Sequence, residues 1–173
     1  MSTTESFSSF SAGQTEVFSL LKKTLTYRPL VFLGTGSLLH GDDGWAYYLL
    51  KKIKSVPAKD VHTLWTETAP ENFLGPLERL HPAELIICDA ADFDAPAGTI
   101  RFFPAEEIKE HPATLTHRMP FSILISMLNE RCPCKTHFLL IQPSSIEFSS
   151  SLSKEVKQSL QKITRLLINE LNK

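Results

Sequence analysis

Two stretches of this chain, Leu30-Val-Phe-Leu33 and Leu85-Ile-Ile-Cys88, are apolar at every position. A strand with one wet face alternates apolar and polar residues. One without a polar face must be covered on both sides, as strands of a parallel sheet are. Segments of helical spacing lie between and around these runs. Trp45, Leu49, Leu50 and Ile53 follow Asp42-Asp43-Gly44 and predict a helix from Asp42 to about Ile53. Val61 to Trp65 reads as a second strand. Pro70 to Leu80 reads as a helix, with Thr68 as its N-cap and Pro70 in its first turn. Gly98 to Phe103 alternates after a Pro/Gly turn, which predicts a strand at or near a sheet edge. Thr116 to Asn129 should be helical and Thr136 to Ile141 extended. Val17, Leu20, Leu21 and Leu25 mark a short amphipathic helix before the first strand. At the other end Leu152, Val156, Leu160, Ile163, Leu167 and Leu171 step by three and four, so a C-terminal helix packs one face on the body. Strands alternating with helices imply crossover units: an α/β fold with a mostly parallel sheet covered on both faces.

With 173 residues, 42% hydrophobic and 21% charged, the chain is sized and balanced for one globular domain. Residues 1–12 are rich in Ser and Thr and are expected to be disordered, leaving residues 13–173 as the domain. A net charge of −1 gives no polycationic footprint, so no nucleic-acid partner is expected. Cys88, Cys132 and Cys134 are too few for a disulfide framework and suit a reducing compartment. The start of the chain has neither a basic region nor an apolar run, and no stretch approaches the ~18 apolar residues of a membrane span. No membrane association and a cytoplasmic location are therefore expected.

Ligands of open α/β sheets bind beyond the carboxyl ends of the strands. The first such place is Gly34-Thr-Gly-Ser-Leu-Leu-His-Gly-Asp-Asp-Gly44. As a dinucleotide fingerprint it fails, because the third glycine would fall at Leu39. Asp42 and Asp43 would also face the pyrophosphate at the helix start. The same helix start favours a carboxylate and suits it to hold a cation; one of the two acids is expected merely to cap the helix. The second place is Asp89, directly after an apolar strand, where a carboxylate must be paired, hydrogen-bonded or coordinating. Asp92 and Asp94 read as solvated turn residues. The third is Thr116-His-Arg-Met-Pro120, where His117, in a first helical turn, is biased towards its neutral, lone-pair-donating form. His40, in the first loop, is a further candidate. Asp43 or Asp42, Asp89 and His117 would make an open three-ligand site for a metal such as nickel or zinc, if they converge.

Six motifs occur in order: Gly36-Ser-Leu-Leu-His-Gly-Asp-Asp-Gly44, Thr68-Ala-Pro-Glu-Asn72, Ile87-Cys-Asp-Ala-Ala-Asp92, Gly98-Thr-Ile-Arg101, Thr116-His-Arg-Met-Pro120 and Ile141-Gln-Pro143. Together they resemble the NiFe-hydrogenase maturation proteases, most closely the type serving hydrogenase 3 and formate hydrogenlyase. The resemblance runs from about Leu30 to the final helix. It implies a five-stranded α/β/α sandwich and an endopeptidase that removes the C-terminal extension of the hydrogenase large-subunit precursor after nickel insertion. It further implies that Asp43, Asp89 and His117 contact nickel supplied by that precursor, with no permanently bound metal, and that Asp43 or Asp89 serves in catalysis. A non-proteolytic, nickel-checking assembly factor for the large subunit is the alternative. No serine, cysteine or threonine nucleophile has a visible partner set. The chain departs from the family pattern at Ser37, where asparagine is usual, and at Trp65-Thr66-Glu67, where an Asp-Gly-Gly loop is common. Residues 1–28 also extend beyond the usual start.

Overall fold

The computed structural model describes residues 12–109, 114–115 and 121–173. The disorder expected of residues 1–12 lies outside them, save for Ala12, where helix α1 (Ala12–Thr24) begins. The remaining helices are α2 (Trp45–Lys54), α3 (Leu74–Leu80), α4 (Phe121–Arg131) and α5 (Lys154–Leu171). The strands are β1 (Leu30–Gly34), β2 (Val61–Trp65), β3 (Glu84–Asp92), β4 (Ile100–Pro104), β5 (Thr114–Leu115) and β6 (Lys135–Ile141). The main sheet has five strands in the order β2-β1-β3-β6-β4, with the two-residue β5 paired to the end of β3. β1, β2, β3 and β6 are parallel, and β4 runs antiparallel to β6 at the edge. Four strands therefore send their carboxyl ends to one rim.

The unbroken apolar runs do what their composition requires. Leu30 and Phe32 point into a core with Trp45, Leu49, Ile53, Val156, Ile163 and Leu167, so α1, α2 and α5 cover one face. Val31 and Leu33 point the other way, into a core with Leu74, Leu77, Phe121, Leu124 and Leu128 from α3 and α4. Neither face of β1 reaches water, and three layers result. No helix among the described residues is long and apolar enough to cross a membrane.

Several boundaries differ from the sequence expectation. Residues Gly41–Gly44 form a 3₁₀ turn before α2, and neither aspartate in it caps a helix with its side chain. The turn ahead of α3, Pro70–Phe73, has Ala69 rather than Thr68 as its N-cap, again without a side-chain bond. β3 does not stop at Asp89 but continues to Asp92, because the chain stays paired with β6 through Ala90 and with β5 beyond it. The helix expected from Thr116 is described from Phe121 onwards; His117 lies outside the described residues.

Candidate active site

The loop after β1 is stitched to the ends of both neighbouring strands. Thr35 donates its N–H to the Cys88 carbonyl (3.0 Å), and Gly36 donates to the Glu67 carbonyl (2.8 Å). The Thr35 hydroxyl donates to that same carbonyl (2.7 Å), while Thr66 N–H donates back to Gly34 (2.9 Å). At Gly36 the chain turns with φ +140, and a Cβ there would lie 2.0 Å from the carbonyl oxygen of Asp43. Only glycine fits, for both reasons.

This close approach brings Asp43 back over the loop. Its Oδ2 accepts the N–H of Ser37 at 2.7 Å. Its Oδ1 is buried and has no hydrogen-bond partner among the described residues. A buried carboxylate oxygen left so is costly, typically ~1–3 kcal/mol or more, and such an atom invites a cation or a donor from another molecule.

Asp42 is the opposite case. It is buried with both oxygens occupied: Oδ1 accepts from Ser153 N–H (2.6 Å), and Oδ2 from Ser144 (2.8 Å) and Ser145 (3.3 Å). The expectation that one of the pair caps the helix does not hold: Asp42 pins a distant loop and the start of α5 instead of capping α2. Such spacing, 111 residues for Ser153, cannot be read from the chain.

Asp89 is fully buried in β3, opposite Leu140 of β6. Burial, and secondarily the negative charge of Asp89, push the Cys88 thiol up, far from reactivity. Burial likewise raises the Cys134 thiol to about 11 and raises Cys132. None of the three is prepared to act as a nucleophile. The Gly41–Gly44 turn packs against β3, so both candidate acids belong to the carboxyl rim at β1 and β3. Among the described residues no group of three or more His, Cys, Asp or Glu side chains stands ready to share a metal.

Ser37 and His40 are coupled instead of separately placed. The Ser37 hydroxyl lies 2.9 Å from His40 Nδ1 and also accepts the Leu39 N–H (3.3 Å), so the residue that departs from the family pattern still closes a turn. The second departure shapes a cleft of about 260 Å³ lined by Trp65, Thr66, Glu67, Asn72 and Phe73, where Glu67 turns with φ 51. That lies below the ~300–1,000 Å³ of a small-molecule site.

A further residue of this rim belongs to the Ile141-Gln-Pro143 motif. Gln142, buried at the end of β6, accepts from Phe93 N–H (2.9 Å) and Ala95 N–H (3.4 Å) through Oε1. Its Nε2 donates to Asp92 Oδ1 (3.1 Å), and its backbone pairs with Gly98 and Thr99. Asp92 is thereby more than a solvated turn residue. The Asp94 N–H, then the Gln142 amide, hold its carboxyl below the ordinary 3.8.

A profile describing hydrogenase maturation proteases matches residues 48–170, starting just past the Asp42-Asp43 turn. The chain is 31% identical over 137 residues to the hydrogenase 3 maturation protease of Escherichia coli, covering 79% of this chain and 87% of that one. The chain belongs to the hydrogenase maturation protease family. Among solved structures, the protease superposes on the Escherichia coli endopeptidase HycI with a TM-score of 0.69 at 29% identity, covering 81% of this chain and 89% of the other. It shares the fold of the NiFe hydrogenase maturation protease HycI from Thermococcus kodakarensis, with a TM-score of 0.75, 23% identity and coverage of 89% and 99%. The expected mixed, mostly parallel sheet between helices is thus the fold of this family. The protease is a hydrogenase maturation endopeptidase, which processes the C-terminus of the large subunit. That sets aside the non-cutting assembly factor and the dinucleotide-binding domain.

Proposed function

We propose that this endopeptidase cuts the large-subunit precursor only when nickel is already held by that precursor, and that Asp43, Asp89 and His117 complete the metal's shell. The supporting observation is Asp43 Oδ1, buried beside a tightly stitched loop and without a hydrogen-bond partner among the described residues. Its companion Oδ2 is fixed by Ser37, so the free oxygen is held in a set direction. A carboxylate prepared in this way binds a cation without first giving up a protein partner. Asp89 offers a second acid from β3, and His117 a neutral nitrogen by its motif. Nickel shared by the two proteins would fix the scissile segment and polarise its carbonyl or an attacking water. A protease that gains part of its binding energy from the metal ignores an empty precursor. We place this reaction in the cytoplasm.

The test is incubation of the purified protein with nickel-loaded and nickel-free precursor, followed by intact-mass measurement. Loss of the C-terminal extension from the loaded form alone is expected. Equal cutting of both forms would refute the nickel requirement.

A further inference from the structure

The loop that carries Asp43 also carries an apolar surface. Leu38 is 39% exposed and Leu39 58%, and in the segment bonded to this loop Ile146 is 44% and Phe148 82% exposed. The two segments are joined by backbone bonds. Ser149 N–H donates to the Leu39 carbonyl (2.9 Å), Gly41 N–H to Ser149 (2.8 Å), and Asp42 N–H to Ser145 (3.2 Å). The Asp42 carboxylate clamps Ser144 and Ser145 from the same side, and the rings of His40 and Phe148 meet edge to face at 6.3 Å. These side chains are therefore held out on a braced support. Leu38 also lies against Gly44, the residue after Asp43, where a Cβ would touch its side chain at 3.2 Å.

From this geometry we infer that Leu38, Leu39, Ile146 and Phe148 form a docking lip for an apolar segment of the large-subunit precursor. The inference rests on the reading that the precursor is cut beside Asp43. Three observations commit the lip to that occupant. It is covalently continuous with the loop of the candidate acid, so a chain delivered to Asp43 arrives against it. Its four residues are uncharged and call for an apolar partner, not an acidic or basic one. Four exposed side chains are also far fewer than the ~20–30 residues a side of a stable interface, which disfavours a second copy. Exposed aromatic anchors on rigid supports are where interfaces concentrate their binding energy. The lip thus supplies affinity, while the acids supply the nickel test.

The experiment is steady-state processing of nickel-loaded precursor by wild type, by the double variant Leu39→Ser/Phe148→Ser and by Phe148→Leu. The double variant should raise KM ~10-fold or more with kcat nearly unchanged, and the conservative Phe148→Leu should keep KM close to wild type. Circular dichroism and melting should show all three folded alike. An unchanged KM in a folded double variant, with wild type active, would overturn the lip alone. An inactive wild type would overturn the cutting site and the lip with it. A wild-type dimer in sedimentation that the double variant abolishes, with KM unaltered, would overturn the lip in favour of self-association.

Discussion

The carbonyl of Asp43 rests directly on the α-carbon of Gly36, with no room for a methyl group between them. The candidate acid is thus positioned by backbone against backbone. Gly36→Ala should cost about 3 kcal/mol or more, combining a left-handed φ with overpacking. For a chain of this size that lowers Tm by roughly 6–12 °C, measurable by thermal denaturation. A Tm within 2 °C of wild type, a threshold of about 1 kcal/mol, would contradict the close approach.

Asp43→Asn keeps the shape that receives the Ser37 amide but removes a buried charge. Processing should be lost, while melting occurs at or slightly above the wild-type temperature, the trade-off expected where function stores strain. Asp89→Asn and His117→Ala should also abolish processing with the fold kept. Wild-type cutting rates in all three would show that the ligands are elsewhere.

Asp42 makes a contrasting prediction. Asp42→Ala strands three backbone donors, at Ser144, Ser145 and Ser153. The expected loss is about 3 kcal/mol of stability, seen as a shifted urea midpoint, with weakened processing as the consequence. Adjacent aspartates should thus separate into one that governs chemistry and one that governs the scaffold.

Asp92 carries a pH signature. Its folded pKa lies below 3.8, so its contribution to stability is complete above the unfolded value and is lost as pH falls through the folded one. Gln142→Ala removes the second of the two bonds responsible. In a carbon-detected NMR titration the Asp92 midpoint should move up towards 3.8 in that variant. No movement would mean that the Gln142 amide contributes nothing there.

Thiol chemistry should be irrelevant to activity. At pH 8 the native protein should react with iodoacetamide far more slowly than free cysteine does, since burial raises all three thiols. Processing should survive the treatment. Inactivation at the rate of ordinary thiol labelling would bring cysteine back into the mechanism.

The layers and most strands were legible because β1 and β3 leave no polar face for water and α5 repeats so regularly. Asp89 stands out because it directly follows an apolar run, and Asp43 because it sits at a helix start in the loop after another. What stayed hidden depends on partners far apart in sequence. The sequence does not say which of Asp42 and Asp43 is structural, because the partner that decides it, Ser153, is 111 residues away. Gln142 has no local pattern that announces a hub for Phe93, Ala95 and Asp92. Glu84 Oε2 and His137 Nε2 share a buried hydrogen bond (2.8 Å) between β3 and β6, yet neither looks unusual in its own segment. The end of β3 was misjudged at Asp89 because a charged residue resembles a boundary, while pairing with β5 and β6 overrides that local sign.

The brace from Asp42 to Ser153 also imposes an order of events during synthesis. The acid-bearing loop is made first, and the amide that steadies it follows 111 residues later. A nascent chain therefore lacks this brace on the candidate site until Ser153 has been made, however early the loop itself emerges.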